Sequence, residues 1–125
     1  MNLNQVTIFT SKPQETAEFY EKLGLNLIVD SLPRYARFEC PDGGSTLSIH
    51  STEETPEPGG IVMYFESEDL DAKVAELRQK GVTFESDAVD QTWLWREAYL
   101  RDPAGNRICL FYAGKNRKKP PWRVK

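Results

Sequence analysis

The chain has 125 residues, 39% of them hydrophobic and 28% charged, with a net charge of −3. That size suits one domain able to bury a core without disulfide or metal support, and its longest apolar runs are too short to span a bilayer. Six of the sixteen basic residues lie at or after Lys115 with no acidic residue among them, so the remaining ten face nineteen acidic ones. An acidic body argues against a nucleic-acid-binding core, because phosphate repulsion acts over its whole surface. The start, MNLNQVTIF, lacks a basic segment followed by an apolar run, so no secretory signal is read and a cytoplasmic location is expected. Cys40 and Cys109 are far apart and in no CxxC pairing, which reads as two reduced thiols.

In chain order, Val6 to Phe9 reads as a strand, and Ser11, Pro13 and Glu15 suit a helix start. Phe19 and Leu23 give the helix an apolar stripe, and Gly24 closes it. Short β-like runs follow at Leu25 to Val29, Arg34 to Glu39 and Thr46 to His50, the last two joined by the turn Pro41-Asp42-Gly43-Gly44. Glu53 to Gly60, with Pro56, Pro58, Gly59 and Gly60, is a polar linker. Then Ile61 to Phe65 reads as a strand, Asp69 as a cap, and Leu70, Val74 and Leu77 as a helical stripe ending at Gly81. Val82 to Glu85, Trp93 to Leu100 and Arg107 to Tyr112 read as strands, the last two joined by Asp102-Pro103-Ala104-Gly105-Asn106. The offset that carries Gly24 onto Gly81 also carries Val6 to Phe9 onto Met63 to Glu66, so strand, helix and closing glycine repeat in register. The organisation is βαβββ twice: module one 1-52, linker 53-60, module two 61-113 and a basic tail 114-125. Two helices cover only one face of each half-sheet, and the other face is expected to line a cavity.

The paired βαβββ modules, the Phe-Tyr-x-x-Leu-Gly at Phe19 to Gly24 and the Arg-Asp-Pro-x-Gly-Asn at Arg101 to Asn106 resemble the vicinal-oxygen-chelate superfamily of glyoxalases, bleomycin-resistance proteins and dioxygenases. The resemblance covers roughly residues 3 to 113. It implies an α+β fold in which the two modules form a cup-shaped eight-stranded mixed sheet, and a homodimer. It also implies four metal-ligand positions, on the first and last strands of each module, usually held by His, Glu or Gln around an ion that polarises substrate oxygens. Here those positions fall on Gln5, Ser48, Val62 and Cys109. Valine has no lone pair and serine is a poor ligand, so no cofactor is expected. A divalent metal would need an unconventional set built on the sole histidine, His50, with carboxylates such as Glu39, Glu66 or Glu97. The other reading of His50 is a polar residue at a strand end.

Cys109 suggests a nucleophilic thiol, but no base that would lower its pKa is identifiable, and a small buried hydrophobe is the favoured reading. Ser48 has no visible triad partners. Alternation places Gln5, Thr7 and Phe9 on one face, Val62, Tyr64 and Glu66 on another, Cys109 and Phe111 on a third, and Trp93, Trp95, Glu97 and Tyr99 together on the longest strand. These aromatics either line the cavity or form core and dimer contacts. The cavity candidates are accordingly Gln5, Thr7, Ser48, His50, Val62, Tyr64, Trp93, Trp95, Glu97, Cys109 and Phe111. The leading reading is a metal-free protein binding a small aromatic or amphipathic molecule. The alternatives are a divergent lyase, isomerase or dioxygenase with an unconventional metal site, and an interaction protein acting through its basic tail. The tail is expected to dock through Trp122, since Pro120 and Pro121 stiffen it.

Overall fold

The computed structural model describes residues 1–124. Among these, eight strands and two α-helices follow one another as β1 (Gln5–Thr10), α1 (Pro13–Leu23), β2 (Asn26–Ser31), β3 (Tyr35–Glu39), β4 (Thr46–Ser51), β5 (Val62–Glu66), α2 (Leu70–Gln79), β6 (Val89–Asp90), β7 (Arg96–Arg101) and β8 (Arg107–Tyr112), before a 3-10 helix at Gly114–Arg117. The fold is α+β and the βαβββ pattern occurs twice. The eight strands are divided between two four-stranded sheets, ordered β1-β4-β3-β2 and β5-β8-β7-β6, each complete within its own module. In both, the first strand pairs parallel with the last (β1 with β4, β5 with β8) and the remaining ladders are antiparallel. The chain divides into two compact units, Met1–Pro58 with the turn Asp102–Gly105, and Gly59–Arg101 with the chain from Asn106 onward.

Both helices end alike. Gly24 adopts φ 105° and donates to the Glu21 carbonyl while Leu25 donates to Tyr20; Gly81, at φ 87°, donates to Arg78 while Val82 donates to Leu77. Each closure places glycine where a left-handed backbone is required, with a paired 5→2 and 6→1 bond that satisfies carbonyls left over at the helix end. The starts differ. Asp69 caps α2 by accepting from the Ala72 N–H, whereas α1 begins at Pro13 without a side-chain cap and is fixed by Thr10, whose Oγ1 accepts from the Lys12 N–H and lies 3.1 Å from Thr16 Oγ1.

In the first unit, Ile8, Ala36, Phe38, Leu47 and Ile49 form a buried face beneath α1, which contributes Ala17, Tyr20 and Leu23. The apolar stripe of α1 therefore runs through Thr16, Ala17, Tyr20 and Leu23, with Phe19 displaced to its margin. The polar end of Tyr20 explains this choice: its hydroxyl donates to Asp102 Oδ2 at 2.6 Å, joining the helix to the Asp102–Gly105 turn of the same unit. Burial and the adjacent carboxylate both hold the Tyr20 phenol well above its ordinary pKa. In the second unit, Leu70, Val74 and Leu77 pack as expected, with Ala98, Leu100, Ile108 and Leu110 buried in the sheet.

Two strands differ from expectation. Val82 to Glu85 is not a strand; Phe84 makes one bridge to Leu100, and the edge strand is the later pair Val89–Asp90. The run from Trp93 enters the sheet only at Arg96, because Leu94 takes φ 68° and the Leu94 N–H closes a turn on the Gln91 carbonyl. The tail is held near its root and not through Trp122, which is 59% exposed. Glu66 Oε2 accepts from the Ala113 and Gly114 N–H groups, both at 2.9 Å, and Trp95 Nε1 donates to the Asn116 carbonyl. Backbone donors satisfied by a carboxylate are a stronger anchor than an exposed ring.

Replacing Tyr20 with phenylalanine keeps the volume but takes one donor from the buried Asp102 carboxylate. The expected cost is about 1–3 kcal/mol in denaturant unfolding, and an unchanged midpoint would show that the bond contributes nothing to the first unit.

Candidate functional site

Strand alternation gives each sheet a second face, turned away from its helix. The assignment is direct: the Thr10–Thr16 contact puts α1 on the Ile8 side of β1, and the Arg96–Asp71 ion pair puts α2 on the Arg96 side of β7. Gln5, Thr7, Phe9, Ser48 and His50 therefore share the helix-free face of the first sheet, together with Tyr35 and Arg37 of β3, through the register pairs Thr7 with Ser48, Phe9 with His50, Arg37 with Ser48 and Tyr35 with His50. Val62, Tyr64, Glu66, Glu97, Tyr99, Cys109 and Phe111 share that of the second, paired as Tyr64 with Cys109, Glu97 with Phe111 and Tyr99 with Cys109.

On the first sheet the face is a polar network. Gln5 Nε2 donates to Ser48 Oγ at 2.9 Å, Ser48 Oγ shares a proton with the Tyr35 hydroxyl at 2.7 Å, and Arg37 Nε donates to the same phenol oxygen at 2.9 Å. Ser48 is 1% exposed, so its hydroxyl depends on these partners. The Tyr35 phenol is held below its ordinary pKa, chiefly because Ser48 can turn its proton toward a phenolate, with the Arg37 charge acting in the same direction. His50 lies between Phe9 and Tyr35, tilted 39° to the first at a centroid distance of 5.5 Å and edge-on to the second at 6.1 Å, and its Nδ1 lies 3.1 Å from the Ser51 carbonyl.

On the second sheet the face is aromatic around one buried acid. Trp95 stacks on Phe111 at 4.7 Å and 21°, and Tyr64 stands edge-on to both. Cys109, Phe111 and Ala113 form the centre of this cluster, with Val62, Trp95 and Tyr99 packed against it. Glu97 is 2% exposed and accepts from Trp93 Nε1 at 3.0 Å and from the Tyr99 hydroxyl at 2.9 Å. Trp93 thus reaches Glu97 from the turn before β7, although it is not on the strand. Burial, followed by bonds to Tyr64 and Glu97, keeps the Tyr99 phenol protonated well above its usual range. The Arg107 guanidinium lies 4.0 Å above the Tyr99 ring.

The metal-ligand positions implied by the resemblance lie where expected, Gln5 on β1, Ser48 on β4, Val62 on β5 and Cys109 on β8. Their chemistry does not fit a divalent ion. The Gln5 carbonyl oxygen is taken by the Thr46 hydroxyl, the Gln5 amide nitrogen is turned toward Ser48, and Val62 has no donor. Burial and the nearby Glu97 charge push the Cys109 thiol up to about 12, which disfavours the thiolate that a metal or a nucleophilic mechanism needs. Among the described residues no three His, Cys, Asp or Glu side chains gather to hold an ion, so His50 does not recruit the carboxylates it would require. Tyr35 and Arg37 were missed in sequence because β3 carried no motif. Their alternation with the buried Ala36 and Phe38 was the available signal.

Two consequences are measurable. Ser48→Ala removes the largest influence on Tyr35, so its phenol, followed by ultraviolet or NMR titration, should move up toward the ordinary value of about 10; no movement would dissociate the two groups. The Cys109 thiol is raised on folding, so its contribution to stability is complete below the unfolded thiol pKa of about 8.5 and is lost as pH rises toward about 12. Unfolding free energy should fall above about pH 8.5 by up to ~1.4 kcal/mol per pH unit from this group. The fall should be shallower in Cys109→Ala, though not abolished, because Cys40 is raised in the same direction. Parallel profiles would refute the assignment.

The family model for the glyoxalase/bleomycin resistance protein/dioxygenase superfamily matches residues 2–110. An uncharacterised protein of Mycolicibacterium smegmatis is 29% identical over 110 residues, covering 87% of this chain and 91% of that protein. The protein YraH of Bacillus subtilis is 28% identical, covering 89% and 98% respectively. A crystal structure of a glyoxalase/bleomycin resistance protein/dioxygenase from Nocardioides superposes with a TM-score of 0.79 at 23% identity, covering 100% of this chain and 90% of that one. With its paired modules and a family match over nearly its whole length, the chain belongs to the glyoxalase/bleomycin resistance protein/dioxygenase superfamily.

Proposed function

We propose that the protein is a metal-free member of its superfamily that binds a small aromatic or amphipathic molecule on the helix-free sheet faces. The observation that carries this reading is the second sheet's Tyr64, Trp95 and Phe111 cluster beside the buried Glu97. Apolar rings with a few fixed polar groups are the usual composition of a small-molecule site. Tyr64 is 47% and Trp93 45% exposed, so rings on this face still have surface to offer a ligand. Glu97 accepts two hydrogen bonds from neutral donors and pairs with no cation among the described residues. A ligand donor or positive group that replaced one of these two bonds would meet a carboxylate already stripped of most of its water.

The enzymatic alternative, a divergent lyase, isomerase or dioxygenase, lacks support at the four ligand positions for the reasons of donor chemistry given above. The homodimer and the cytoplasmic location belong to the same proposal. Exposed Val6 on the edge strand β1, and Leu27 and Ile28 on the edge strand β2, favour association over solitary open edges. No helix among the described residues is long and apolar enough to cross a membrane.

Native mass spectrometry with elemental analysis of the purified full chain tests this reading. The expected result is a dimer carrying far less than one divalent ion per chain, with a small organic molecule retained or readily reloaded. Near-equimolar zinc, nickel, iron or manganese would contradict it.

A further inference from the structure

We propose that the helix-free face of the first sheet holds a site for the carboxylate of a small aromatic acid, with Arg37 as its charged anchor and the Tyr35, His50 and Phe9 rings as its floor. The site shares with the proposed function the premise that these faces receive ligands, but it rests on different residues in the other unit. Arg37 is the starting point. Arg78, Arg96, Arg101, Arg107 and Arg117 each lie against a carboxylate; among the described residues Arg34, Arg37 and Arg123 form no such pair, and of these three only Arg37 stands on a helix-free sheet face. Its Nε is bound to the Tyr35 hydroxyl at 2.9 Å and its Cζ stands 5.5 Å from the centre of that ring, which fixes the guanidinium, and among the described residues its two terminal nitrogens bind no other side chain. A planar fork of two N–H donors matches a carboxylate in a bidentate pair.

The anchor is held from beneath. Tyr35 is bonded to the buried Ser48 hydroxyl, and Ser48 to Gln5, so the phenol that orients Arg37 is itself fixed by two further strands. Holding the donor in one orientation lowers the ordering cost of binding. Beside it, Tyr35, His50 and Phe9 form one cross-strand row of rings, with Phe9 49% exposed. Rings next to a guanidinium suit an aryl group attached to the acid. The choice of a monoanion over phosphate follows from Glu39, which lies two residues further along the same face of β3 and repels a second negative charge.

The test is NMR titration of the isotope-labelled full chain with benzoate, with benzamide as the uncharged isostere and inorganic phosphate as the competing oxyanion. Benzoate should produce saturable shifts at Tyr35, Arg37, Ser48 and His50 with a dissociation constant on the order of millimolar. Benzamide, and benzoate with Arg37→Gln, should bind about tenfold more weakly or worse. Tyr35→Phe keeps the ring and loses the bond to Nε, so it should weaken binding by a smaller factor. Arg37 is exposed, so the remaining spectrum of R37Q should match the wild type and report an intact fold. The proposal is overturned if benzoate leaves these residues unshifted, if R37Q binds it equally well, or if phosphate binds more tightly. Shifts confined to the Trp93 and Trp95 indoles would overturn it while leaving the proposed function standing.

Discussion

One helix against a four-stranded sheet is the constraint from which the rest follows. A helix about 10 Å across covers one face of such a sheet and leaves the other to be occupied by something else. Each module obeys this: α1 and α2 cover the faces carrying Ile49, Phe38, Ile108 and Leu100, and the alternate residues of the same strands are turned the other way. The stability of each unit and its chemistry are therefore written on the same strands, one residue apart.

That separation lets two copies of one scaffold carry different surfaces. The helix closures match bond for bond, Gly24 and Leu25 repeating as Gly81 and Val82. On the opposite faces the first sheet presents the hydrogen-bonded series Gln5, Ser48, Tyr35 and Arg37, and the second an aromatic cluster beside Glu97. On the first face the Tyr35 phenol is held below its ordinary pKa, and on the second the Tyr99 phenol and the Cys109 thiol are pushed up. The opposite shifts follow from different surroundings on equivalent faces, hydrogen bonds from Ser48 and Arg37 on the first and burial on the second.

The repeat, both helices and six of the eight strands were legible in the sequence, because period-two and helical apolar patterns with closing glycines are local signals. What escaped depended on partners remote in sequence or on a local turn that the hydrophobic pattern does not report. Phe19 looked like the core of α1 by hydrophobicity, yet Tyr20 took that place because Asp102, 82 residues away, meets its hydroxyl. Trp93 alternates with Trp95 and Glu97 as a strand would, but the positive φ of Leu94 delays the strand and Trp93 reaches Glu97 from a turn. The parity of Gln5, Ser48, Tyr64 and Cys109 was readable. The role of Arg37 was not, since it lies in which charges lack partners once the chain has folded.

If ligands meet the helix-free faces, as proposed, the three tryptophans report it directly. The Trp93 indole N–H is bonded to Glu97 and that of Trp95 to the Asn116 carbonyl, while Trp122 lies exposed in the tail. In a nitrogen-proton correlation spectrum of the full chain, added small aromatic compounds should displace the Trp93 and Trp95 indole signals and leave that of Trp122 in place. Displacement of Trp122 alone, with the other two unmoved across a chemically varied set, would show that these faces do not receive such ligands.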